Sequence, residues 1–152
     1  MELGTIEQEI YVEASPEVVY EVVSSPDHLK HWWPDEAHYD PTPGSSGQIV
    51  FERDGGGAVV ELTVVDAKPP STFVFRWTHP AGETAAEGNS LLVTFDLAPS
   101  GSGTLLRMTE TGFREMGWEV AVLEQQFAEH VEGWAYFLPR IVPYVATLVV
   151  RP

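Results

Sequence analysis

The stretch GWEVAVLEQQFAEHVEGWAYFLPRIVPYVATL, residues 117–148, decides the fold. Apolar residues recur in it at Val120, Leu123, Phe127, Val131, Trp134, Leu138, Ile141, Val145 and Leu148, in steps of three and four. Such spacing gathers them into one stripe of an α-helix and leaves Glu119, Glu124, Gln126, Glu129 and Glu132 largely off it. A straight helix of 28 residues would run for roughly 42 Å at about 1.5 Å per residue, more than a small domain needs. Pro139 and Pro143 fall inside the pattern. Each lacks the N–H that a helix interior uses, so a kink or a frayed end is expected there. A lone helix cannot bury such a face. It requires a sheet.

The preceding residues supply one. From Gln48 onward the apolar period is two: Ile49 and Phe51, then Val60, Leu62 and Val64, with Asp54-Gly55-Gly56-Gly57 as the turn between them. Phe73, Phe75 and Trp77 line a third strand after Pro69-Pro70. Leu91, Val93, Phe95 and Leu97 line a fourth, after a polar loop from His79 to Asn89. Leu106 and Met108 line a fifth, with Glu110 next in the alternation and Gly112 closing the sheet. Short connections imply an antiparallel meander with one buried face.

Ahead of these, Thr5 to Glu13 alternates, with Ile6, Ile10 and Val12 on one side and Glu7, Glu9 and Glu13 on the other. Ser15-Pro16-Glu17 is a helix start, with Val18, Val19, Val22 and Val23 as the buried side. Ser25-Pro26-Asp27 repeats the signal and opens a short helix from His28 to His31, before Trp32-Trp33-Pro34 and a loop from Asp35 to Gly47. The order β-α-α-β-β-β-β-β-α describes an α+β chain in which a long C-terminal helix crosses a curved antiparallel sheet. No linker, repeat or low-complexity segment divides residues 1–152, so one domain is expected.

This order, and several local patterns, resembles the helix-grip superfamily of START-like and Bet v 1-like domains, in particular the branch named after the C-terminal domain of the Hsp90 ATPase activator. The residues that carry the likeness are Ala14 to Tyr20, Leu29 to Trp33, Pro43 to Gly47, Lys68-Pro69-Pro70 leading to Phe75-Arg76-Trp77, Gly103 to Leu105 leading to Thr109 to Phe113, and Gly133-Trp134. The resemblance implies the helix-grip fold, a curved sheet wrapped around the terminal helix. It also implies a hydrophobic small molecule held in the cavity between the two, or, in a minority of members, chemistry there. It supplies no shared catalytic set, and the Hsp90 role is not carried over.

Composition narrows the partners. The 152 residues hold 8 Lys and Arg against 23 Asp and Glu, a formal charge of −15, which repels phosphate backbones and anionic lipid. Nucleic acid and membrane are therefore not expected as partners. No apolar run reaches the ~18 residues of a membrane span. The N-terminal Met1 to Glu7 lacks the basic start and apolar core of a secretory signal. There is no cysteine, which removes disulfides and thiol chemistry and fits a cytoplasmic protein. A homodimer through an edge strand or the outer helix face is compatible with the sequence, and nothing requires it.

The expected cavity wall comprises Trp32, Trp33, Phe51, Phe75, Trp77, Phe95, Met108, Phe127 and Trp134. Core packing accounts equally well for Trp77 and Trp134, whereas the adjacent rings of Trp32 and Trp33 are not expected to share one small core. Glu110 and His130 are the polar groups facing that cavity, and a carboxylate with an imidazole there can exchange protons or orient a polar ligand. The plainer alternative puts Glu110 in solvent at the mouth and His130 at the helix edge. They are the only catalytic candidates. Asp27, His28, His31, Asp35, Glu36 and His38 form a loose acid–histidine cluster whose spacing matches no metal motif, so neither a metal nor a cofactor is expected. No nucleophile elbow or phosphate loop is present. A binding protein for a hydrophobic or aromatic ligand is the leading expectation. The alternatives are an enzyme of the cyclase, dehydratase or hydrolase kind in the same cavity, and a chaperone-related interaction module.

Overall fold

The computed structural model describes residues 4–53 and 56–149. Strand β1 (Thr5–Val12) is followed by α1 (Pro16–Ser24), α2 (Pro26–Leu29) and β2 (Glu36–His38). Then come β3 (Ser46–Arg53), β4 (Gly56–Lys68), β5 (Thr72–Trp77), β6 (Leu91–Ser100) and β7 (Gly103–Thr111). A 3-10 turn at Arg114–Met116 leads to α3 (Val120–Phe137), a second turn at Leu138–Arg140, and α4 (Ile141–Leu148). The strands form one antiparallel sheet in the order β1-β7-β6-β5-β4-β3-β2. The expected meander is there, and β1 returns to pair along β7, with Ile6 opposite Glu110. This is the α+β, helix-grip arrangement. Asp54 and Gly55 of the expected turn, and Met1 to Leu3 of the N-terminal stretch, lie outside the described residues.

Period-two patterning fixes which side chains face the helices. Phe73, Phe75, Val93, Phe95, Leu106 and Met108 are all buried, and they come from alternate positions of three neighbouring strands. Ser15 caps α1, its hydroxyl accepting from the Val18 amide at 3.3 Å, with Pro16 in the first turn. Val19, Val22 and Val23 of that helix are fully buried, while Val18 is half-buried. The second helix starts two residues earlier than expected, at Pro26, and Ser25 makes no side-chain cap.

Three expectations are corrected. The segment Asp35 to Gly47 is not all loop: Glu36–His38 pairs with Gln48 to Val50 as an edge strand. Three residues are too short to show alternation. Gly47 permits the chain to return there, because a Cβ on it would fall on the His38 carbonyl oxygen. Second, Trp32 and Trp33 are both buried. Their rings stack with centroids 5.9 Å apart, and Trp32 Nε1 donates to the Val22 carbonyl at 2.9 Å. Third, the apolar stripe is only partly inward: in α3 Val120 is 68% exposed, Val131 is exposed and Trp134 is the one buried residue, and in α4 Leu148 is exposed.

The long helix is broken as the prolines require. Pro139 sits in the 3-10 turn between α3 and α4, where a missing N–H costs no α-helical bond. Pro143 occupies the first turn of α4, whose amides have no partner within that helix. Leu138, Ile141 and Val145 are buried beyond the bend. Among the described residues, no helix is long and apolar enough to cross a membrane.

Candidate functional site

Strand β7 sends Leu106, Met108 and Glu110 to the same face, so a carboxylate enters the buried side of the sheet by register alone. Glu110 has no solvent exposure. Across β6, β5 contributes Trp77, whose Nε1 donates to Glu110 Oε2 at 2.7 Å. Residues His130 and Trp134 are one helical turn apart on α3 and meet the same group. Trp134 Nε1 donates to Glu110 Oε1 at 2.8 Å, and His130 Nδ1 lies 2.9 Å from that oxygen. A buried carboxylate is tolerable only when its oxygens are satisfied by hydrogen bonds. Here two indole N–H groups, which can only donate, and an imidazole nitrogen do so.

With its proton on Nδ1, the neutral His130 ring turns its second nitrogen, Nε2, away from Glu110 as a lone-pair acceptor. The ring is held on two sides, by Trp77 at 5.3 Å and edge-on by Phe113 at 5.3 Å. Phe113 is fully buried and packs in turn on Phe127. Gly112, at φ +107°, carries the chain from β7 to Phe113, and a Cβ there would crowd the Ser90 carbonyl at 3.1 Å.

Between α3 and the β3–β5 part of the sheet lies a cleft of about 430 Å³, lined by Trp33, Phe51, Ala58, Val60, Trp77, Thr78, Gln126, Glu129, His130, Gly133, Trp134 and Phe137. Its floor is Trp33, whose ring centroid is 4.9 Å from that of Trp77 and 5.0 Å from that of Trp134. An adjoining outer depression carries Asp35, Glu52, Glu129, Glu132 and Arg140. Of the residues expected to wall the cavity, Trp33, Phe51, Trp77, His130 and Trp134 line this cleft. Glu110 lies beneath it. Trp32, Phe75, Phe95 and Met108 do not reach it; they are fully buried core, and Phe127 packs at the Phe113 end.

Sequence reasoning missed the lining residues Ala58, Val60, Thr78, Gln126, Glu129, Gly133 and Phe137. Four of these stand on α3, and the steps from Gln126 to His130, Gly133 and Phe137 are four, three and four. That stripe was readable, but it runs beside the more apolar one and includes polar residues.

The acid–histidine cluster disperses. His28 Nδ1 is 2.7 Å from the Tyr144 hydroxyl, and the His31 ring stacks on Tyr144 at 5.0 Å, so both histidines fasten α2 to α4. His38 pairs with Glu36, and Asp35 accepts from the Glu52 amide. Among the described residues, no three histidines or acids are grouped to hold a metal ion.

His79, expected in a polar loop, is buried beside the cleft residue Thr78, which holds an unusual positive φ of 74°. Its Nε2 lies 3.2 Å from Thr63 Oγ1, and Nδ1 has no partner among the described residues. Desolvation lowers the His79 pKa, partly offset by Glu61 and Glu83. Below the ordinary value of about 6.5, the unfolded chain takes up a proton that the folded one resists, so stability falls as pH drops toward the lowered folded value. The urea midpoint should therefore fall less between about pH 7 and pH 5 in His79→Gln than in the parent. Equal slopes would show that this histidine does not contribute.

A family model described as "Activator of Hsp90 ATPase homolog 1-like protein" matches residues 13–146. No curated protein matches the chain significantly. Among solved structures, the Aha1 dimer from Colwellia psychrerythraea is similar at 25% identity and a TM-score of 0.71, covering 93% of this chain and 95% of that one. Protein MLL2253 from Mesorhizobium loti matches at 21% identity and TM-score 0.74, covering 96% and 99%. Protein NE0264 from Nitrosomonas europaea, at 13% identity and TM-score 0.77, covers 95% and 96%. These last two likenesses concern the fold.

Proposed function

Because the chain belongs to the family of activator of Hsp90 ATPase homolog 1-like proteins, we propose that it is a small-molecule-binding helix-grip domain. It holds a flat hydrophobic or aromatic ligand between α3 and the β3–β5 face. The cleft carries this reading: Trp33, Phe51, Trp77, Trp134 and Phe137 surround about 430 Å³ that their own side chains leave unfilled. Protein interiors otherwise pack closely, and concave apolar sites with a few polar groups are where small molecules bind. The cytoplasm is the compartment this reading assumes. A homodimer is the matching assembly, supported by the Colwellia protein's being a dimer.

Gly133 offers a test in which binding and stability move in opposite directions. It lines the cleft from within α3, and a Cβ built on it meets no atom within 4 Å. Gly133→Leu should stabilise the helix by about 1 kcal/mol, since glycine is a poor helix former, while its side chain enters the cleft. The affinity for a neutral flat probe such as Nile red should fall at least about tenfold, roughly 1.4 kcal/mol. A variant that binds the probe like the parent would place the ligand elsewhere and end this reading.

One observation favours a second reading, an enzyme in the same cleft: the 2.9 Å contact between Glu110 and His130. A proton leaving a substrate O–H or C–H for Nε2 would create an imidazolium beside a buried carboxylate, the arrangement that general base catalysis uses. Cyclisation, dehydration and hydrolysis of a hydrophobic substrate are the matching reaction types. Any activity that persists undiminished in both Glu110→Gln and His130→Ala proteins would remove this reading.

A further inference from the structure

Resting on that reading of the cleft, we propose that its ligand is a neutral aromatic compound bearing an O–H or N–H donor, which His130 Nε2 accepts. Three observations combine. Glu110 occupies Nδ1, so Nε2 is the ring nitrogen left without a partner among the described residues, and that ring lines the cleft. The tautomer is fixed from behind, because Trp77 and Trp134 already donate to Glu110 and its oxygens need donors. The ring cannot easily swing away, since Trp77 and Phe113 hold it.

Charge then restricts the ligand. Asp35, Glu52, Glu129 and Glu132 line the outer depression with Arg140 as its one cation, and the chain carries −15 overall. An anionic ligand approaches against that field. A cation would have to shed its water to enter, while Glu110 already accepts from three partners and Glu129 at the cleft is exposed to solvent. Thr78 and Gln126, which can both donate and accept, and Glu129, whose charge further disfavours an anion, complete the polar lining. A phenol-like or indole-like donor on a flat ring fits these conditions.

The test compares naphthol, methoxynaphthalene and naphthoate by calorimetry on the parent protein and on His130→Phe, which keeps a flat ring of similar size. Naphthol should bind the parent at least about tenfold tighter than methoxynaphthalene, roughly 1.4 kcal/mol, and naphthoate should bind weakest. The naphthol preference should disappear in His130→Phe. Nitrogen NMR of the parent needs no variant: His130 should carry its proton on Nδ1, and the Nε2 resonance should move with naphthol and not with methoxynaphthalene. Equal binding of naphthol and methoxynaphthalene would overturn the donor assignment while leaving the cleft reading intact. Tightest binding of naphthoate would overturn it too, by making His130 the donor. If none of the three binds, the cleft reading itself fails and takes this inference with it.

Discussion

Replacing Glu110 by glutamine is expected to remove about 2–4 kcal/mol of stability, because hydrogen bonds to a charged group are lost and a buried donor is left without a partner. The reason lies in the donors around it. Trp77 donates to one carboxylate oxygen, and Trp134 shares the other with His130. Glutamine has one acceptor oxygen and one NH2 group. With the NH2 toward Trp77, the indole N–H of that residue meets a donor; with the NH2 toward Trp134, the other indole does. Either way a buried indole loses its acceptor, and in the second orientation His130 loses or reverses its contact as well. At this chain length, the melting temperature should fall by about 10 °C. Urea unfolding of the two proteins measures the difference. A loss below about 1 kcal/mol would mean that the carboxylate is not required to hold these rings.

The second large effect belongs to Trp33. Trp33→Ala should cost about 3–5 kcal/mol, because the vacated space borders rings that cannot collapse into it. Trp33 is 6% exposed and touches the rings of Phe51, Phe75, Trp77 and Trp134. Trp32→Ala should cost a similar amount, since Trp32 is fully buried and its indole N–H satisfies the Val22 carbonyl. The two differ in binding. Trp33 forms the floor of the cleft and Trp32 does not line it, so a flat probe should lose affinity in the first variant and keep it in the second. If Trp33→Ala unfolds, Trp33→Phe retains a ring and carries the same comparison. Equal probe affinity in both variants would show that the floor has been assigned to the wrong tryptophan.

Much of this architecture was legible in the linear chain. Period-two runs from Ile49 to Met108 and the three-and-four spacing from Leu123 to Val145 report burial directly, because a strand or helix repeats its facing residues at fixed intervals. Ser15-Pro16 marked a helix start through local hydrogen bonding, and Pro139 marked the bend through its missing N–H. Such signals need no partner elsewhere in the chain. Glu110 facing inward also followed from alternation.

What alternation could not give is how far inward, or against what. The full burial of Glu110 depends on Trp77 from β5 and Trp134 from α3, residues 33 and 24 positions away, arriving with N–H groups at 2.7 and 2.8 Å. The second Trp of the Trp32-Trp33 pair found a place inside only because α3 and β5 stand far enough apart to admit it. The edge strand at Glu36–His38 exists through pairing with β3, not through any pattern in its three residues. By itself the sequence determined which faces are apolar, where elements begin and break, and that a carboxylate and an imidazole point the same way. Only the tertiary structure decided that they meet beneath an open cleft, because contacts between distant segments depend on the curvature of the sheet and the bend of the helix, which no local spacing encodes.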